Sequence, residues 1–331
     1  MALIVDSNLP AFETMRAEGV PLTTPEEATS SGIPQVSVGL LNLMPDAALR
    51  ATDRQFMRLV CAAAHDLDIT MRVFTVAEES RAEEARLHIK RHYPSFGEVA
   101  DQGLDALIVT GANPAQHELE KEVFWKGMEE VLDWAKAETH SILCSCLATH
   151  AVLQKYRDMK RTRLPQKRWG VYWHRQIRAH PLLEGLDGTV EAPHSHWYSV
   201  TREEMESVGL TVLLENDEAG VHMAVDDEEF YVFFQGHPEY DLVSLLKEYR
   251  RELGRFWRGD RDDYPQVPEN YFNEEALSVL EAYRPVLENA RAKEEDPPRL
   301  VESELLPTEP HSWNDQGKVI YRNWLRQVVE R

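Results

Sequence analysis

The stretch Ser141-Ile142-Leu143-Cys144-Ser145-Cys146-Leu147-Ala148-Thr149-His150 constrains this chain more than any other. A short apolar run enters it, and a helix-compatible run, Ala151 to Tyr156, leaves it. Cys146 has small residues two positions away on either side, Cys144 and Ala148. A sharp strand-to-helix turn requires this, because side chains at those positions crowd the turn. A Cys in such an elbow sits at a helix N-terminus. There the unpaired N–H groups and the helix dipole favour a thiolate, and the next backbone N–H can help stabilise an oxyanion. A free Cys is also commonly a small buried hydrophobe, so this stretch alone leaves the two readings level.

The sequence before the elbow predicts the sheet it needs. Val36 to Met44 is nearly continuous apolar, as a strand buried on both faces should be, and Pro45-Asp46 ends it. Leu49, Phe56, Leu59, Val60 and Ala63 recur at helical spacing between Ala48 and His65. A second strand is expected from Asp68 to Val76, a helix from Ala82 to His92, and a third strand from Leu104 to Thr110. The turn Gly111-Ala112-Asn113-Pro114 closes that strand, and an amphipathic helix follows from Glu122 to Ala137. Strand and helix alternating through short links predict an α/β fold, a mostly parallel sheet with helices on both faces. Sites in such sheets lie at the carboxyl ends of strands. The turns after Met44 and Thr110, and Cys146 itself, all fall there.

The chain has 331 residues and a formal net charge of -21. A field of that sign repels nucleic acid and anionic membrane, so neither is expected as a partner. The three cysteines are Cys61, Cys144 and Cys146. A disulfide across the tight 144–146 spacing is strained, which favours a reducing cytoplasm. The segment Met1 to Asp6 carries no secretory pattern, and no membrane span is expected. With no CxxC pair and no Gly-rich phosphate loop, no metal or bound cofactor is expected. Residues 1–34, with Pro10, Pro21, Pro25 and Pro34, suggest an irregular N-terminal arm. The main domain is expected over 35–256, with a C-terminal helical extension over 257–331 packing on it. That extension includes an acidic insertion and a helix from Asn273 to Lys293.

After the elbow comes a basic stretch, Lys155 to Arg178, opposed only by Asp158. It suits an anionic ligand such as a nucleotide-bearing thioester, or it is a solvated surface. Val190 to Tyr198 is a His-rich turn with no carboxylate or Cys at metal-ligand spacing. Short strands are expected at Val212 to Leu214 and Val221 to Val225. The buried run Phe230 to Phe234 feeds directly into Gln235-Gly236-His237-Pro238-Glu239-Tyr240-Asp241. Gly236 permits a tight turn. His237 at the strand end can act as base toward a thiol, and Glu239 can orient its imidazole. A strand-elbow Cys followed by a strand-end His-Pro-Glu favours the nucleophile–base reading over the structural one.

With both motifs in hand, the chain resembles the homoserine O-acyltransferases of the methionine pathway, in the homoserine transsuccinylase branch. That family is related to the class I glutamine amidotransferase fold. The similar segments run in order over most of 36–256. They are Leu40-Leu41-Asn42-Leu43-Met44-Pro45, then Thr52, Asp53 and Gln55, then Ile108-Val109-Thr110-Gly111-Ala112. Leu164-Pro165-Gln166-Lys167, Ala192-Pro193-His194-Ser195 and Gly236-His237-Pro238-Glu239-Tyr240-Asp241 follow, with His311-Ser312-Trp313 and Asn323-Trp324-Leu325 near the end. The resemblance implies that Cys146 carries the acyl group as a thioester, that His237 is the base and that Glu239 is its partner. It implies that Lys167, Ser195 and Arg251 hold the substrate, and that backbone N–H groups at Leu147 and Ala112 hold the oxyanion. It further implies a homodimer, with L-homoserine and an acyl-CoA as substrates.

The chain departs from the family pattern at several points. Leu147-Ala148 follows the nucleophile instead of Trp-Gly, His150 stands where Gln is typical, and Asp46-Ala47 replaces the lysines that usually follow Leu-Met-Pro. The family pairs a Glu shortly after the Thr-Gly-Ala turn with acetyl-CoA and a small residue with succinyl-CoA. The aligned residue is Ala115, which leaves room and adds no repelling charge, so succinyl-CoA is favoured over acetyl-CoA. The rivals are an acetyl donor or a serine acceptor, a glutamine amidotransferase-like hydrolase, and a non-catalytic binding protein.

Overall fold

The computed structural model describes residues 2–297, 299–307 and 311–331; Met1 of the expected arm, and Pro298 and residues 308–310 of the expected extension, lie outside them. The strands in chain order are β1 (Leu3–Ile4), β2 (Leu22–Thr23), β3 (Gln35–Leu41), β4 (Asp68–Phe74), β5 (Ala106–Val109), β6 (Ser141–Ser145), β7 (Thr162–Gln176), β8 (Thr189–Ser199), β9 (Thr211–Asn216), β10 (Gly220–Asp226) and β11 (Tyr231–Phe234). They form one sheet in the order β2-β1-β4-β3-β5-β6-β11-β10-β9-β7-β8. Pairing is parallel from β2 through β11. It is antiparallel from β11 through β8.

The apolar runs of the central strands explain the layering. Every residue of β5 is buried. Ala106 and Ile108 point to one core, Leu107 and Val109 to the other. The first core is closed by helices Asp46–Ala63 and Trp313–Glu330, which contribute Phe56, Val60, Tyr321 and Trp324. The second is closed by Trp125–Glu138 and Leu147–Arg157, with Met128, Val131, Ala148 and Val152. A third cluster joins Trp169 and Val171 of β7 to Tyr249 and Phe256 of helix Ser244–Arg258 and Leu280 of helix Glu274–Lys293. Trp324 Nε1 donates to Ser141 Oγ at 2.9 Å, so the closing helix is tied to the strand that leads into the elbow.

Two sequence expectations change here. The arm is not irregular: β1 pairs in parallel with both β4 and β2, and helices Ala11–Ala17 and Pro25–Ser31 lie along it. Strands of two residues carry no alternation from which to be read. The basic stretch and the His-rich turn are the paired strands β7 and β8, with His194 opposite Gly170 and Ser195 opposite Trp169. No metal-holding group of His, Cys, Asp and Glu occurs among the described residues.

Candidate active site

Strand β6 ends at Ser145, and helix Leu147–Arg157 begins two residues later. Cys146 makes the turn between them at φ 51° and ψ -103°, a conformation that L-residues rarely adopt. The flanking Cys144 and Ala148 are fully buried, which is why both are small. Cys146 keeps partial exposure, and all three cysteines are free thiols. The carbonyl of Phe234, at the end of β11, accepts from Cys146 N at 2.7 Å and from Thr149 Oγ1 at 2.9 Å. Gly111 packs against the elbow, where a Cβ would lie 3.5 Å from Cys146 Cβ. Leu147 opens the helix, so its N–H has no carbonyl one turn back to receive it.

Three residues past Phe234 comes His237, buried with its partner Glu239. His237 Nδ1 and Glu239 Oε1 lie 2.8 Å apart. The ring also bonds to the Cys146 thiol. Burial works against an imidazolium there, but the Glu239 charge and the bond to Cys146 outweigh it and raise the His237 pKa well above its ordinary value. Gln235 Nε2 also donates to the sulfur, at 3.6 Å. Tyr240 stacks on the His237 ring with centroids 4.3 Å apart.

The Tyr240 hydroxyl donates to Glu248 at 2.7 Å, and Glu248 is the residue that sequence reasoning missed. Its carboxylate also accepts from Ser195 Oγ at 2.5 Å and Lys167 Nζ at 3.1 Å. Arg251 Nη2 stands 4.0 Å away, with its side chain half exposed. Burial alone would raise the Glu248 pKa; the Lys167 ammonium, then the Ser195 and Tyr240 hydroxyls, hold it below the usual range. The structure thus gathers Lys167, Ser195 and Arg251 around one carboxylate. Its position three residues before Arg251, on the same helical face, was the available signal.

Behind the His237 loop lies a set of buried rings: His174, His194, His196 and His222. The backbone assigns their protons. His196 Nδ1 donates to the Tyr198 carbonyl at 2.8 Å, so its Nε2 accepts from His194 Nδ1 at 3.0 Å. His222 Nδ1 accepts from Gly236 N at 3.2 Å. A Cβ on residue 236 would meet His194 Nε2 at 2.7 Å and His222 Nδ1 at 2.8 Å, so the loop needs glycine there. Only His194 and His196 read in sequence as part of a turn, and His222 as part of a short strand; strand pairing brings them and His174 together beneath the His237 loop.

Two cavities flank the elbow. One of about 350 Å³ is bordered by Cys146, Leu147, His150, Ala112, Ala115 and Arg161. The other, about 280 Å³, is bordered by Gly111, His237, Tyr240, Glu248 and Arg251. Ser195 borders the first and donates to Glu248 in the second. At the turn after Pro45, where the sequence lacks lysines, Arg81 Nη1 donates to the Met44 carbonyl at 2.9 Å and to Asp46 at 3.0 Å. A thiol at an elbow, an imidazole oriented by a carboxylate and two adjoining cavities are the parts that covalent group transfer between two ligands would need.

A family model described as homoserine O-succinyltransferase matches residues 2–331. The homoserine O-succinyltransferase of Methylococcus capsulatus is 45% identical over 332 residues, covering 100% of this chain and 94% of that protein. That of Thiothrix nivea is also 45% identical over 332 residues, covering 100% of this chain and 92% of that protein. Among solved structures, a glutamine amido transferase from Methylobacillus flagellatus superposes with a TM-score of 0.51 at 15% identity, covering 89% of this chain and 94% of that one. That likeness bears on the fold alone, which is class I glutamine amidotransferase-like.

Proposed function

This chain belongs to the homoserine O-succinyltransferase family, and from that premise we propose that it transfers a succinyl group from succinyl-CoA to the side-chain hydroxyl of L-homoserine, through a thioester on Cys146, in methionine biosynthesis. The observation that carries the mechanism is the Cys146–His237–Glu239 series at the junction of two cavities. His237, its pKa raised beside Glu239, starts the cycle as the proton carrier. The Cys146 thiolate attacks the thioester carbonyl, and the N–H groups of Leu147 and Ala112 face the developing oxyanion. As the C–S bond to CoA breaks, His237 gives its proton to the departing sulfur. The neutral ring then takes the proton of the homoserine hydroxyl, whose oxygen attacks the acyl-enzyme. Collapse expels the Cys146 thiolate and leaves the proton on His237, restoring the start.

The second cavity suits the acceptor. Glu248 offers a carboxylate to an α-ammonium, and Arg251 offers a guanidinium to an α-carboxylate. Ala115 borders the first cavity and leaves it open to a four-carbon acyl chain.

The test is intact-protein mass spectrometry after brief mixing with succinyl-CoA or acetyl-CoA, without acceptor. A succinyl adduct that is absent in Cys146→Ala and discharged by homoserine is the expected outcome. An acetyl adduct alone would overturn the donor assignment. No adduct from folded protein, together with ammonia release from glutamine, would replace the acyl-transfer reading with a hydrolytic one.

A further inference from the structure

The cavity beside Cys146 is bordered by a cation that, among the described residues, makes no ion pair. Arg161 follows the helix Leu147–Arg157 and borders this cavity together with Cys146 and His150. Its guanidinium stacks over the Tyr198 ring at 3.8 Å, and its Nη2 donates to the His117 carbonyl at 3.2 Å. Among the described residues, no carboxylate lies within ion-pair distance of it. Burial lowers its pKa from the ordinary arginine value, as expected for a charge short of solvation; Tyr198, Cys146 and Glu122 act the other way, Glu122 from beyond ion-pair distance.

The other cations nearby are already served. Lys167 is paired with Glu248 at 3.1 Å, and Arg81 with Asp46 at 3.0 Å. Arg163, at the same cavity, is exposed to water and leans over the Trp197 ring. Of the two arginines that border this cavity, Arg161 is the one that combines partial desolvation, proximity to Cys146 and free donors. His150 adds a neutral polar wall: it is buried, and although Gln235 and the Tyr198 carbonyl lie close, neither ring nitrogen completes a hydrogen bond within ordinary limits.

A partly buried guanidinium without a carboxylate at contact distance is costly, and a planar carboxylate is the ligand that matches its fork. We propose that Arg161 is the specificity residue for the acyl group, binding the distal carboxylate of a dicarboxylic acyl chain while its thioester end meets Cys146. This rests on the acyl-transfer reading above and extends it: the donor is selected by its charge as well as by the room left at Ala115. A contact from the same guanidinium to a phosphate of the CoA moiety would act on every acyl-CoA alike and give no discrimination between acyl groups.

The experiment compares acylation rates with succinyl-CoA and butyryl-CoA, which share chain length and differ in the terminal carboxylate. Wild type, Arg161→Gln and Arg161→Lys are each followed by intact mass at several donor concentrations. The succinyl-to-butyryl ratio of kcat/KM is expected to fall about 10- to 100-fold in Arg161→Gln, as for a lost charge-assisted pair, and to recover partly in Arg161→Lys. Because both donors are read in one protein preparation, a general loss of fold cancels from the ratio. An equal loss with both donors, or an unchanged ratio, overturns the assignment of the carboxylate to Arg161 while leaving the Cys146 thioester standing. Absence of any adduct in wild type overturns the acyl-transfer reading itself, and the assignment with it.

Discussion

Glu239 Oε1 lies 2.8 Å from Nδ1 of His237, two residues earlier on the same loop, and both are buried. The carboxylate therefore fixes which nitrogen of the ring faces Cys146. Glu239→Gln keeps the shape but removes the charge that holds the proton on the imidazole. The acylation rate measured by rapid-quench mass spectrometry should fall about 10²- to 10⁴-fold, in line with orienting carboxylates elsewhere. A variant within threefold of wild type would remove Glu239 from the mechanism.

The backbone of Cys146, at φ 51° and ψ -103°, predicts a trade between stability and chemistry. Strain of this kind costs about 1–3 kcal/mol in a non-glycine residue. Cys146→Gly should abolish acylation while holding or raising Tm by roughly 2–4 °C, since glycine accepts this conformation. Thermal unfolding checks it, and a clear drop in Tm would mean that the turn is unstrained.

Glu248 gathers Lys167, Ser195 and Tyr240 on the acceptor side, so its loss should separate the two half-reactions. In Glu248→Gln, acylation by donor alone should change little. KM for homoserine should rise about 10- to 100-fold, the scale of one charge-assisted hydrogen bond. Stopped-flow acylation and steady-state turnover on one preparation measure both.

The buried histidines make stability depend on mildly acid pH. Burial lowers the pKa of His174 to about 4, and of His150 and His196 to about 3, from an ordinary 6.5. The unfolded chain thus binds more protons than the folded one below 6.5. The stabilisation is complete above 6.5 and drains away as pH falls from there toward 3. His237 has the opposite sign: its contribution is full below 6.5 and is lost only as pH rises through its raised pKa. Urea midpoints should therefore fall steadily between pH 7 and pH 5, above the range in which Glu248, with its lowered pKa, titrates. A flat profile would contradict the neutral state that burial imposes on these rings.

At Ala115, on the rim of the donor cavity, Ala115→Glu should reduce succinyl adduct formation more than acetyl. A glutamate there opposes a second carboxylate and occupies its space, for a relative change of about tenfold or more. Competition between the two donors, read by mass, tests it.

The elbow and the strand-end His-Pro-Glu were legible because each obeys a local rule: small neighbours at Cys144 and Ala148, and a glycine at a tight turn. The central strands were legible because burial on both faces leaves an unbroken apolar run. The edges were not. β1 and β2 are two residues each, and β7 is a polar strand whose purpose shows only when β8 pairs with it. Glu248 was hidden because a carboxylate on a charged helix looks like any solvated residue; its burial comes from Lys167, Ser195 and Tyr240, which the chain supplies from three other segments.

The Phe234 carbonyl, which receives both Cys146 N and Thr149 Oγ1, begins the three-residue span that ends in His237. Nucleophile and base therefore ride on one rigid coupling. A tremor in the sheet that displaces one carries the other with it. On the proposed mechanism, the outer loops that border the cavity beside Cys146 can then drift in sequence to suit a different acyl chain without detuning the proton transfer, a fixed engine beneath an interchangeable mouth.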